Sequence, residues 1–228
     1  MPSVRSALAV AGALIALAAP AAARAGTSCT PTDYSYAGLT ALAPAYGVAA
    51  TLEATAAPWV TDGHVAAWVG VGGPGYGPHG EDEWLQAGMD ALPGLPGALY
   101  YEVAQPGAPI EYGALADDAL VGERHRVAIL ELERHPGFWQ VWVDGRPAAG
   151  PFYLPGSDGD WSPLATAESW GAGSACNRFS YRFDGVSLAH RPGGSWHRLH
   201  AASAFADRGY RVIRRSRASF TALAQTTT

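Results

Sequence analysis

Phe138-Trp139-Gln140-Val141-Trp142-Val143-Asp144-Gly145 is the stretch that decides the fold. Aromatic and β-branched residues run straight into Asp-Gly, the pair favoured in a two-residue hairpin turn whose central positions both need positive φ. Just upstream, Val127-Ala128-Ile129-Leu130-Glu131-Leu132 is a second apolar run with charge emerging at its end. Short stretches of this kind recur with turn residues between them, at 48–55, 64–71, 83–88, 98–104, 126–133, 138–143, 165–170, 178–183, 195–200 and 210–214. The spacing is regular and turn-rich, and no long amphipathic helix emerges. That is the pattern of an all-β antiparallel sandwich or barrel. Segment 114–120 is the best short helical candidate. The runs GGPGYGPHG (72–80) and PGLPG (93–97) read as loops flanking the strand that carries Gln86. Loops on a rigid sheet often carry binding function, although Gly and Pro also simply make turns.

The 228 residues suffice for one domain with a sizeable core. The chain opens Met1-Pro2-Ser3-Val4-Arg5, is apolar over 7–23 and reaches Ala23-Arg24-Ala25. A positive start, an apolar centre and a small-x-small triplet make a secretory signal peptide over 1–25, with a single sandwich domain over 26–228. An uncleaved anchor is the rival reading. No other segment could span a bilayer, so the expectation is a secreted, extracellular protein with no stable membrane association after cleavage. Two cysteines remain, Cys29 and Cys176. In an oxidising compartment they could pair, and the alternative is two free thiols. The long loop so closed would be worth roughly 5 kcal/mol in the chain-entropy model. Neither the cysteines nor the seven histidines show metal-ligand spacing, so no metal is expected.

Every basic residue is Arg, and the net charge is −5. A negative balance argues against nucleic acid as a partner. Arg191, Arg198, Arg208, Arg211, Arg214, Arg215 and Arg217 crowd the C-terminal part with only Asp207 opposing them. We expect this segment to pack on the acidic half of its own domain, with docking on an anionic surface as the alternative.

Chemistry concentrates on three mid-strand polar residues: Gln86 in Trp84-Leu85-Gln86-Ala87-Gly88, Glu102 in Leu99-Tyr100-Tyr101-Glu102-Val103, and Glu168 in Thr166-Ala167-Glu168-Ser169-Trp170. Strands send alternate side chains to opposite faces, so each points to solvent or into a binding surface. Aromatic walls with a few convergent polar groups are what ligand sites look like. The ordinary alternatives are a strand Gln on the surface, Glu102 paired with an Arg, and Trp68, Trp84 and Trp170 in the core.

The order Ala67-Trp68-Val69-Gly70-Val71-Gly72, Trp84-Leu85-Gln86, Tyr100-Tyr101-Glu102 and Ala167-Glu168-Ser169-Trp170, preceded by Tyr36-Ala37-Gly38, resembles the glutamic peptidases, or eqolisins. The resemblance spans roughly Tyr36 to Phe183. It implies a concanavalin-like β-sandwich (jelly roll) and a divergent, secreted, bacterial-type acid endopeptidase. Glu168 would be the general base that activates water, and Gln86 the amide that stabilises the oxyanion. Trp68, Glu102, Tyr36, Trp84 and Tyr100 would line the substrate groove. Such chemistry needs no cofactor and no metal, and the partner would be a protein or peptide substrate acted on by a monomer. The physics agrees: a free Glu titrates near about 4.3, which suits acidic media.

The chain departs from the pattern. Gly72 stands where the family has Asp, Tyr36 where it has Trp, the span from Trp68 to Gln86 is longer, and the strand after Glu168 lacks a second acidic residue. Losing a nearby carboxylate alters the tuning of the site. Two other classes compete: a jelly-roll glycoside hydrolase using Glu102 and Glu168 on neighbouring strands, and a non-catalytic lectin-like sandwich binding carbohydrate or peptide.

Overall fold

The computed structural model describes residues 29–30, 33–117, 119–157 and 159–224. The expected signal peptide over 1–25 lies outside them. All regular structure among the described residues is β. The first strands are β1 (Asp33–Ala41), β2 (Gly47–Ala54), β3 (Trp59–Val60), β4 (His64–Gly73), β5 (Glu83–Ala91) and β6 (Ala98–Ala104). Next come β7 (Glu111–Ala116), β8 (Arg124–Glu131), β9 (Phe138–Val143), β10 (Arg146–Tyr153), β11 (Leu164–Gly171) and β12 (Asn177–Arg178). The chain closes with β13 (Ser180–Arg191), β14 (Gly194–Arg198), β15 (Ala202–Ala206), β16 (Tyr210–Ser216) and β17 (Ser219–Ala224).

Two antiparallel sheets pack face to face. One has the order β15-β1-β11-β4-β5-β6-β7 and the other β10-β9-β8-β2-β13-β17-β16, with β14 paired to β13. Alternation in the sequence explains what each sheet buries. From β4 and β5, Val65, Ala67, Val69, Val71, Leu85, Ala87 and Met89 enter the core. They meet Val48, Ala50 and Leu52 of β2, Val127 and Ile129 of β8, and Phe183 and Phe220 of β13 and β17. Fully burying each Val, Leu, Ile, Met or Phe among them is worth about 1.5–3 kcal/mol against leaving it in water. Because one set of alternate residues is committed inward, the intervening set on β4, β5, β6 and β11 must face outward, and that face carries the site.

The Asp144-Gly145 hairpin forms as expected between β9 and β10, with both residues at positive φ (49° and 77°). The antiparallel sandwich is likewise as expected. Segment 114–120 is not helical: Ala114–Ala116 belong to edge strand β7, paired with β6. Its Ala and Leu suit a helix, but Gly113 lies flat against the Tyr101 ring and the ladder to β6 takes up the backbone groups. The arginine-rich segment also differs from expectation. All seven arginines are exposed, and among the described residues none of them forms an ion pair. β16 is the edge strand of its sheet and lies beside β1 and β15 of the other, so Arg211, Arg214 and Arg215 sit at the rim of the sandwich.

Cys29 and Cys176 form a disulfide across 147 positions. The bridge ties the approach to β1 to the segment after β11. Beside it, the buried Asn177 donates its amide to the carbonyls of Asp62 and Trp170 and accepts from the Thr61 N–H. The ends of β4 and β11 are therefore clamped together where the site begins.

Candidate active site

Register places the polar residues on one face. β4 runs between β11 and β5; Glu168 pairs with Ala66, and Gln86 with Gly70. Ala66 and Gly70 are four residues apart on one strand, so Glu168 and Gln86 point the same way. Gln86 pairs in turn with Glu102, and Glu168 with Tyr36, which extends the same face across two more strands, β6 and β1. Together they line a cleft of about 520 Å³ whose walls include Tyr34, Trp68, Trp84, Ile110, Leu164 and Phe205. An adjoining cavity of about 260 Å³, lined by His64, Ala66, Asp90, Tyr100 and Tyr112, shares Glu102 and Glu168 with it. A third cavity, of about 390 Å³, lies around Trp59, Leu95 and Leu120 and touches this chemistry only through Asp90.

Glu168 is buried and held at both oxygens. The Trp68 indole N–H donates to Oε2 at 2.9 Å, and His64 Nε2 lies 3.1 Å from Oε1. Trp68 can lie across the sheet because Gly70 leaves it room: a Cβ there would fall 2.7 Å from the indole. Gly72 has another role. Its φ is +79°, and a Cβ would sit 2.2 Å from the Glu83 carbonyl oxygen. The position where the resemblance expects an acid is thus one that an L side chain would strain. Gln86, also buried, donates from Nε2 to the Tyr100 hydroxyl at 3.2 Å, which orients its amide.

Glu102 is bound not to an arginine but to the Trp84 indole N–H at 3.3 Å. Asp90 accepts from the Tyr112 hydroxyl at 2.8 Å. Tyr36 is fixed through its backbone, whose N–H donates to Asp207 Oδ2 at 2.7 Å. Tyr34 stacks between Tyr36 and Trp170, and Tyr100 stacks on Tyr112, giving the groove aromatic sides. Trp68 and Trp84 are accordingly groove residues and not part of the main core. Trp68 packs with Ala66, Tyr100, Tyr36 and Leu164 on the outer face, and Trp170 is exposed.

Burial and mutual repulsion set the electrostatics. Burial pushes the Glu102 carboxyl up, and the charge of Glu168 adds to that. Burial also pushes Asp90 up, against the hydrogen bond from Tyr112. For His64 burial pulls downward, but the hydrogen bond and charge of Glu168 outweigh it and the net shift is upward. Tyr36 and Tyr100 are driven well above the usual phenol range by burial and then by the Glu168 charge, so both hydroxyls stay protonated. Among the described residues no group of three or more His, Cys, Asp or Glu side chains is arranged to hold a metal ion.

Of the residues singled out from sequence, Gln86, Glu102, Glu168, Trp68, Tyr36 and Trp84 line one cleft; Tyr100 underlies Gln86 and opens on the adjoining cavity. Sequence reasoning missed His64, Asp90, Tyr34, Tyr112 and Phe205. Two of these carried a signal: His64 lies four residues before Trp68, and Asp90 four after Gln86, which on a strand is the same face.

The fold is that of the glutamic peptidases. Scytalido-glutamic peptidase in complex with a transition-state-analogue inhibitor matches with a TM-score of 0.59 at 12% identity, over 85% of this chain and 98% of that one. SCP-B, a member of the eqolisin family of peptidases seen with the tripeptide Ala-Ile-His, matches with a TM-score of 0.54 at 12% identity, over 86% and 98%. No protein-family model and no curated protein matches the chain.

Proposed function

We propose that this chain is a secreted acid endopeptidase of the glutamic type, a divergent bacterial-type member, with Glu168 as general base and Gln86 as oxyanion donor. The observation that carries the reading is that a buried carboxylate and a buried, oriented amide share one face and one cleft with aromatic walls. Glu168 would take a proton from a water molecule as its oxygen attacks the scissile carbonyl carbon. The carbonyl oxygen becomes an oxyanion, and the Gln86 amide, which carries two N–H groups, donates to it. Collapse of the tetrahedral intermediate breaks the C–N bond, and the proton held by Glu168 passes to the leaving amine. Glu102, Tyr36, Tyr34 and Trp84 would bind the peptide on either side, and no step draws on a cofactor.

The glycosidase reading asks for Glu102 and Glu168 on neighbouring strands. Here β4 and β5 lie between their strands, so three inter-strand spacings of about 4.8 Å separate the two backbones. Gln86 would also be left without a role. The non-catalytic reading draws on Gly72 and Tyr36, neither of which touches Glu168's two hydrogen bonds. The deciding experiment is hydrolysis of a denatured protein by the purified mature chain across pH 2–7, beside Glu168→Gln and Gln86→Ala. Acid-range cleavage lost in both folded variants supports the peptidase. An inactive wild type that binds glycans or peptides would sink it, as would sugar release from xylan or glucan.

A further inference from the structure

His64 belongs to the base without belonging to the motifs that define it. We infer that His64 is a positioning residue for Glu168: its imidazolium forms an ion pair with Oε1 that, with the Trp68 indole on Oε2, holds the carboxylate aimed into the cleft. This rests on the peptidase reading for its catalytic consequence, though not for the pair itself.

Several observations converge on it. The His64 ring is three-quarters covered, with 25% of its side chain exposed, and Glu168 is almost fully buried. Two aromatic rings flank the imidazole, Tyr34 at 6.0 Å and Trp170 at 5.7 Å between ring centroids. The backbone under it is fixed as well, since Asn177 bonds Thr61, Asp62 and Trp170 around the start of β4. The imidazole is therefore a held group and not a mobile surface side chain.

Charge gives it a purpose. The groups facing the Glu168–His64 pair are Tyr34 and Tyr36 from β1, Trp68 from β4, and Asp90 from β5. β6 adds Tyr100 and Glu102, β7 adds Tyr112, and Asp207 lies behind Tyr36. Three carboxylates thus share the two cavities, and among the described residues lining them His64 is the only basic side chain. Crowded carboxylates disfavour one another's ionised forms, and an opposite charge within hydrogen-bond reach restores it. A neutral hydrogen-bond donor in the same place would aim the carboxylate without this electrostatic help.

The test separates the pair from the activity. Ring titration of His64 followed by NMR in wild type should give a midpoint above the ordinary value of about 6.5, and Glu168→Gln should bring it down. In parallel, the pH–rate profile of His64→Gln, which keeps a donor but no charge, should have its acid limb displaced to higher pH by about one unit. That is roughly a tenfold loss of kcat on the limb, with KM little changed and the fold intact by circular dichroism. His64→Lys, which keeps the positive charge, should move the limb back toward wild type. An unchanged His64 midpoint in Glu168→Gln would overturn the proposal. So would a folded His64→Gln whose profile superposes on wild type, since a merely structural role predicts that result. A wild type that cleaves nothing at any pH, yet shows the coupled titration, would sink the peptidase reading while leaving the ion pair established.

Discussion

The indole N–H of Trp68 points at Oε2 of Glu168 from 2.9 Å, across the ladder that joins β4 to β11. The two residues are not register partners: Trp68 pairs with Thr166, and Glu168 with Ala66. The bond is diagonal, and it exists because Gly70 vacates the space that the indole crosses. Trp68→Phe keeps the ring and removes the donor. A buried charged acceptor left short of a partner costs about 1–3 kcal/mol, so chemical denaturation should show a loss of that order. On the proposed peptidase reading turnover should fall as well, more in kcat than in KM, because Glu168 loses its aim.

On the proposed peptidase reading Gln86→Ala should cut kcat by about 10²–10³ with little change in KM, the usual cost of one lost oxyanion donor. Its partner hydroxyl on Tyr100 would then face the cleft. Glu168→Gln should remove activity at every pH while circular dichroism and melting report an intact fold. Residual activity above a tenth of wild type in either variant would assign the chemistry elsewhere.

Stability should depend on pH in an unusual direction. Asp90, Glu102 and His64 all have folded-state pKa values raised above their ordinary ones. A raised value contributes stability that is fully present below the unfolded pKa and is lost as pH climbs through the folded one. The carboxylates contribute fully below about pH 4 and His64 below about 6.5. Asp144 opposes them, since its hydrogen bonds to His125 and the Arg126 N–H outweigh burial and lower its pKa, but it is largely exposed. Thermal melting should therefore peak in mildly acidic buffer and decline toward pH 8. A midpoint that rises steadily from pH 5 to 8 would contradict this assignment.

Gly72→Asp restores the residue that the glutamic-peptidase pattern carries, and it should not restore function. The left-handed backbone there costs a non-glycine residue on the order of 1–3 kcal/mol, and the Glu83 carbonyl would have to yield. The melting temperature should drop, with no gain in turnover over wild type.

Breaking the Cys29–Cys176 bridge frees a loop across 147 positions, worth about 5 kcal/mol in the chain-entropy model. Reduction, or a double Ser replacement, should lower the melting temperature strongly. At low temperature the cleft should stay competent, since neither sulfur lines it.

The sequence by itself determined the all-β class, because alternation with period two and the Asp144-Gly145 turn are local properties of the chain. It also marked Gln86, Glu102 and Glu168 as polar residues in apolar strands, and through the family resemblance it put them in order. Where local propensity and tertiary pairing disagreed, it misled: Ala114-Leu115-Ala116 has helical composition, yet it completes a sheet edge against β6. The arginine-rich segment was expected against the acidic half; β16 does lie beside β1, but the seven arginine side chains are exposed and among the described residues form no ion pair. Which face Glu168 shares with Gln86 was open until the β11–β4–β5 register was known, since a slip of one residue would send either side chain into the core. His64 was within reach of a parity argument on β4. What no single strand could reveal is its partner, because the 3.1 Å contact with Glu168 joins positions 104 residues apart and depends on two strands being paired and clamped by Asn177.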